Sequence, residues 1–145
     1  MPSISVAMAT YNGAKFLREQ LHSIATQTVL PDELVICDDC STDDTVLLLE
    51  EFARSAPFPV RIVQNGENLG FANNFLKCAS ICRGDWTTFC DQDDIWLPHK
   101  LACMAEEIER SGDDVVLLYH AASLVNEALE PTGTLLPHIP SRRVH

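Results

Sequence analysis

The chain has 145 residues, a length typical of one domain that can bury a sizeable core. Its 46% hydrophobic and 21% charged content is that of an ordinary soluble globular protein, and no apolar run approaches the roughly 20 residues needed to span a bilayer. A net charge of −11, from 21 acidic and 10 basic residues, excludes a sequence-independent grip on nucleic acid and argues against adhesion to anionic lipid, since both depend on Lys and Arg.

The amino terminus, Met1-Pro2-Ser3-Ile4, runs into a strand-like segment with no basic region or cleavage site, so the chain reads as cytoplasmic. Ser3 to Ala9 is a short apolar run ending at the turn signal Thr10-Tyr11-Asn12-Gly13. Ala14 to Gln27 then places Leu17, Leu21 and Ile24 on one helical face. Leu34 to Cys37 predicts a second buried strand, closed by Asp38-Asp39-Cys40-Ser41. In the helix that follows, Ser41 is a candidate cap, Asp43 and Asp44 suit the first turn, and Leu49, Phe52, Ala53 and Ala56 form the expected buried stripe.

Val60 to Val63 predicts a third strand leading into Asn65-Gly66-Glu67-Asn68-Leu69-Gly70. Phe71 to Cys82 predicts a helix burying Ala72, Phe75, Leu76 and Ala79. Trp86 to Cys90 is the fourth strand and delivers Asp91-Gln92-Asp93-Asp94. Pro98 suits a first helical position, with Leu101, Met104, Ala105 and Ile108 as the next buried face. Val115 to Tyr119 predicts a fifth strand, and from Pro131 the sequence loses periodicity.

Strands alternating with helices specify a mostly parallel sheet with helices on both faces, and such sheets bind ligands beyond the carboxyl ends of their strands. Three strand ends carry suggestive polar groups: Thr10-Tyr11-Asn12, Asp38-Asp39 and Asp91 to Asp94. Three carboxylates in four positions repel one another, and a divalent cation relieves them, because Mg²⁺ and Mn²⁺ prefer hard oxygen ligands and bridge phosphates. The bland alternative is an acidic turn capping the following helix. Asn12-Gly13 is neither a G-x-G-x-x-G fingerprint nor a P-loop, which counts against a nucleotidyltransferase. Tyr11 offers a ring for a nucleobase, or else is a packed loop aromatic. Asp39 offers an acceptor for the imide N–H of uracil or thymine, or else Asp38 and Asp39 complement the helix dipole. Cys37-x-x-Cys40 has a zinc or redox spacing, but its gap holds two Asp, and buried free thiols are the simpler reading of the six cysteines.

Ser5 to Asn12, Asp38-Asp39-Cys40-Ser41-Thr42-Asp43-Asp44-Thr45, Glu67-Asn68-Leu69-Gly70 and Asp91 to Pro98 together resemble glycosyltransferase family 2, the last most closely its bacterial rhamnosyltransferase-like members. Cys40 stands where that family usually has Gly or Asn. The resemblance implies a GT-A (nucleotide-diphospho-sugar transferase, Rossmann-like) fold and a UDP- or dTDP-sugar donor. It also implies a glycan or lipid-linked saccharide acceptor, as in bacterial polysaccharide biosynthesis. Ala9, Thr10, Tyr11, Asp38, Asp39, Asp91 and Gln92 are the expected nucleotide contacts, and Asp91 with Asp93 the expected ligands of Mn²⁺ or Mg²⁺. Transfer would proceed with inversion, a carboxylate base activating the acceptor hydroxyl.

Residues 1–130 are expected to form the donor-binding part and 131–145 an irregular tail leading to an acceptor-binding half. Neither 132–145 nor Glu106, Glu107 or Glu109 supplies a plausible base, so the base is expected beyond His145. Such a truncated sheet is expected to self-associate, as a homodimer. The alternative is a non-catalytic nucleotide-sugar or metal-binding module that needs a partner, and the inner face of the membrane is the expected place of any peripheral attachment.

Overall fold

The computed structural model describes residues 1–112 and 116–136. It divides into two units, Met1–Gly112 and Asp113–His145. In the first, strands β1 (Ile4–Thr10), β2 (Glu33–Asp38), β3 (Val60–Gln64) and β4 (Trp86–Cys90) alternate with helices α1 (Ala14–Ala25), α2 (Thr45–Ala53), α3 (Phe71–Ser80) and α4 (Lys100–Ser111). The strands form one parallel sheet in the order β3-β2-β1-β4. All seven residues of β1 are buried, as expected of a strand covered on both faces.

Two neighbours on β4 show which helix covers which face. Phe89 packs edge-on against Phe75 of α3 (5.5 Å between ring centroids), while the Cys90 sulfur accepts from Gln20 of α1. Successive side chains on a strand point to opposite faces, so α1 and α3 lie on opposite sides of the sheet. The start of α4 is fastened to the end of α1, where Gln27 donates to Leu97 O and accepts from Leu101 N. No helix among the described residues is long and apolar enough to cross a membrane.

The predicted face of α1 is the observed one: Leu17, Leu21 and Ile24 are buried. α2 begins at Thr45, four residues after Ser41, and buries Thr45, Leu48 and Leu49. α3 buries Asn74, Phe75 and Cys78, leaving Leu76 65% exposed. The misphasing there has a cause: polar Asn74 takes a core position because its amide donates to Cys37 O at 2.8 Å. On α4, Leu101, Ala105 and Ile108 are buried and Met104 is half-buried.

The second unit corrects two expectations. Val115 lies outside the described residues, and 116–119 form no strand; Val116 and Leu117 are exposed. Residues 131–136 are not irregular. They form β6 (Pro131–Leu136), antiparallel to β5 (Ala122–Val125). Asn126 makes this hairpin, its side-chain oxygen accepting from Ala128 N at 2.9 Å and Glu130 N at 3.0 Å. The rest of the tail, 137–145, lies outside the described residues.

Candidate functional site

The parallel register sets Thr10 beside Asp38 and Met8 beside Cys90, so the loops after β1, β2 and β4 emerge at one end of the sheet. Buried Ala9 and Thr10, exposed Tyr11, buried Asp38 and Asp39, and half-buried Asp91 and Gln92 therefore share one region. Asp93 and Asp94 follow on the surface.

Asp38 makes three hydrogen bonds within the protein. It accepts from Thr10 Oγ1 at 2.9 Å and Ser41 Oγ at 2.6 Å on one oxygen, and from Ser41 N at 2.9 Å on the other. Ser41 thus serves the β2 turn rather than capping α2. Its hydroxyl also accepts from Asn12 N at 2.9 Å. The neighbouring residues stitch the same two loops together. Thr42 N donates to Asn12 Oδ1 at 2.8 Å, Gly13 N to Thr45 Oγ1 at 2.8 Å, and Ala14 N to Asp43 Oδ2 at 3.1 Å. Asp43 also accepts from Thr45 N at 3.0 Å, so one carboxylate serves the starts of both α1 and α2.

Asp39 reaches the loop after β3. Its Oδ1 accepts from Asn65 Nδ2 at 2.7 Å and Leu69 N at 2.8 Å, and its Oδ2 from Gly70 N at 2.9 Å. Burial alone would raise its pKa. The Leu69, Asn65 and Gly70 hydrogen bonds, with the charge of Lys77, outweigh it and hold the carboxyl below the usual range. A carboxylate has about four acceptor positions, so three such bonds leave one, on Oδ2. Asn65, Asn74 and Lys77 back this arrangement, with Asn65 Nδ2 also donating to Asn74 Oδ1 at 2.9 Å and Lys77 Nζ to Asn65 Oδ1 at 2.7 Å. Sequence reasoning missed all three. The one available signal was an Asn at a core-facing position of an apolar helix.

Cys40 adopts a left-handed conformation, with φ 66°, which explains why Gly or Asn suits that position. All six cysteines are free thiols, and the Cys40 thiol donates to Asn65 O at 3.2 Å while Cys37 is buried on β2.

At the end of β4, burial raises the Asp91 pKa, and the charges of Asp93 and Asp94 raise it further. This is a carboxylate cluster short of positive charge, made of hard oxygen donors, and a divalent cation would relieve it. Among the described residues no group of three or more His, Cys, Asp or Glu is placed to close around a metal.

Gln92 does not project freely. Its Oε1 accepts from Tyr11 N at 2.9 Å and its Nε2 donates to Tyr11 O at 3.1 Å. Beneath the acidic loop, Trp96 is buried, its backbone N–H donating to Ser23 Oγ at 3.1 Å and its indole N–H without a hydrogen-bond partner among the described residues. The Lys100 ammonium lies 3.9 Å from the centre of the Trp96 ring. Burial pushes the Lys100 pKa down to about 8 against the opposing charge of Asp94.

The family model described as Glycosyl transferase family 2 matches residues 5–138. A dTDP-rhamnosyl transferase, RfbG, of Shigella flexneri is 40% identical over 98 residues, covering 65% of this chain and 34% of its own. The putative glycosyltransferase EpsE of Bacillus subtilis (strain 168) is 32% identical over 109 residues, 75% of this chain and 39% of that one. Among solved structures, S. aureus TarS in complex with UDP superposes with a TM-score of 0.68 at 29% identity, covering 74% of this chain and 32% of TarS. The mannosyltransferase PcManGT from Pyrobaculum calidifontis, in complex with GDP-Man and Mn²⁺, gives 0.64 at 28% identity over 70% of this chain and 30% of its own. The chain thus spans about a third of the length of these proteins, and its fold is GT-A.

Proposed function

We propose, from the premise that this chain belongs to glycosyltransferase family 2, that its β1–β2–β4 end holds the nucleotide diphosphate of a UDP- or dTDP-sugar donor. The observation that carries this reading is the convergence of Tyr11, Asp39 and Asp91 at adjacent ends of one parallel sheet. Residues 1–130 are read as the donor-binding part of a longer enzyme.

The half-exposed ring of Tyr11 is available for a base to stack on. The remaining lone pair of Asp39 Oδ2 faces the role of accepting a uracil or thymine imide proton, and its depressed pKa keeps it ionised for that task. Ala9 and Thr10, buried at the end of β1, are read as the floor of that site. Asp91 and Asp93 would hold Mn²⁺ or Mg²⁺. The ion would supply Lewis-acid neutralisation of charge on the departing nucleoside diphosphate. UDP in the TarS complex and GDP-Man with Mn²⁺ in the PcManGT complex support the ligand class.

Sugar transfer with inversion to a glycan or lipid-linked acceptor, at the inner face of a membrane and in polysaccharide biosynthesis, is the reading for the longer enzyme. Its general base is read as supplied by the rest of that longer enzyme. Association between copies through exposed apolar groups such as Leu135 and Leu136 belongs to the same reading.

Asp39→Ala is a poor first test, because it also releases the Leu69–Gly70 loop. Tyr11→Ala is cleaner. Calorimetry with UDP and dTDP should show a loss of about 1–3 kcal/mol in that variant. Unchanged affinity would return Tyr11 to the role of a loop aromatic.

A further inference from the structure

The β1–β4 ladder begins at Ile4 beside Trp86 and stops at Met8 beside Cys90, where β4 ends and β1 runs on to Thr10. Beyond that point the two chains are joined by the side chain of Gln92. Its amide satisfies both main-chain groups of Tyr11, the N–H at 2.9 Å and the C=O at 3.1 Å. This two-bond exchange differs from the slanted bonds of the parallel ladder, so the side chain closes the end of the strand pair with a peptide-like group rather than repeating its pattern. One orientation of the amide satisfies both contacts and the reverse satisfies neither.

Gly13 completes the arrangement. A Cβ there would lie 2.2 Å from Gln92 Oε1 and 2.4 Å from Cδ. Its backbone, at φ −101° and ψ 8°, is open to any residue, so the glycine makes room for Gln92 and meets no conformational demand of its own. Gln92 also sits between Asp91 and Asp93. The same two bonds therefore tie the acidic loop to the turn that carries the Tyr11 ring.

We propose that Gln92 is a positioning residue. It acts through the Tyr11 main chain, fixing the direction of the exposed ring and the place of the acidic loop relative to it, and does not itself contact the nucleotide. The proposal rests on the nucleotide-binding reading only for the identity of the ligand that the ring receives.

Amide hydrogen exchange at Tyr11, followed by NMR on the ligand-free chain, tests it without reference to activity. Gln92→Met keeps the length and removes both bonds, and should speed Tyr11 exchange by about tenfold or more, the scale set by one lost hydrogen bond. Gln92→Glu keeps an acceptor for the Tyr11 N–H but sets a carboxylate oxygen against Tyr11 O, and should leave protection between that of the parent and that of Gln92→Met. Gly13→Ala, by displacing Gln92, should resemble Gln92→Met, and the double variant should be no worse than Gln92→Met alone. UDP affinity should fall in Gln92→Met in step with Tyr11 protection.

Unchanged Tyr11 exchange in Gln92→Met would overturn the proposal, as would an additive cost in the double variant. A loss of UDP affinity without a change at Tyr11 would make Gln92 a direct contact and overturn it equally. Should Gly13→Ala not fold, Gln92→Met and Gln92→Glu decide alone. Absence of UDP binding to the unmodified chain would sink the nucleotide reading, while the exchange comparison would still decide the position of Gln92.

Discussion

Gly70 donates its amide to Asp39 Oδ2 at 2.9 Å from a backbone conformation, φ 79° and ψ 160°, that glycine alone adopts freely. The bond and the conformation depend on each other, because the chain must turn this way to aim both the Leu69 and Gly70 amides at one carboxylate. Nothing lies within 4 Å of a Cβ built there, so only the backbone opposes a side chain. Gly70→Ala should therefore cost about 1–3 kcal/mol in thermal or urea unfolding. A variant as stable as the parent would show that the loop can relax without its glycine.

Cys40 meets a similar demand with the wrong residue. Its φ of 66° is strained for a side chain such as Cys, and asparagine tolerates it better. Cys40→Asn should raise stability by about 1 kcal/mol, a rise in Tm of roughly 4 °C for a unit of this size. A fall in Tm would mean that the thiol contact to Asn65 O outweighs the backbone strain.

The acid limb of the stability curve should depend on Asp39. Its pKa is depressed in the folded protein, so its contribution is present above the unfolded value of about 4 and is lost as pH falls through the lower folded value. Glu33 and Asp43 are also held low, despite burial, by hydrogen bonds, and act in the same window. The stability difference between the parent and Asp39→Asn should thus be largest near neutrality and shrink towards acid. A difference that stays constant with pH would remove the ionised carboxylate from the account.

Lys100 should report itself through Trp96. With its pKa pushed down to about 8, the ammonium 3.9 Å from the ring loses its proton at a pH where ordinary lysines keep theirs. Charging a buried lysine is unfavourable, so its contribution should favour folding as pH rises through that value. In a Trp86→Phe background the Trp96 fluorescence should titrate with a midpoint near 8, and Lys100→Met should abolish the step. A flat profile would place the Lys100 charge elsewhere.

The four parallel strands were legible because each has a short, mainly apolar run closed by turn residues, and the middles of β1 and β2 are almost wholly apolar, as strands covered on both faces are. The run at 116–119 looks the same and forms no strand, because apolar composition does not supply a pairing partner. The hairpin after it depends on the Asn126 side chain, and side-chain bonds to a turn leave no periodic trace.

At the site, the sequence placed Asp38, Asp39 and Gln92 correctly at strand ends, but residue type does not distinguish an acid facing a ligand from one facing its own backbone. Asp38 is committed to Thr10 and Ser41, and Gln92 to Tyr11. Asn65, Asn74 and Lys77 escaped notice because they matter only through contacts distant in sequence.

Metal-assisted binding of a nucleotide diphosphate at Tyr11, Asp39, Asp91 and Asp93 is tested most directly by calorimetric titration of UDP into the chain, with and without Mn²⁺, repeated with Asp93→Ala. Affinity should rise when Mn²⁺ is present, and that gain should vanish in Asp93→Ala while the fold is retained. Equal affinity with and without the ion in the unmodified chain would contradict the account.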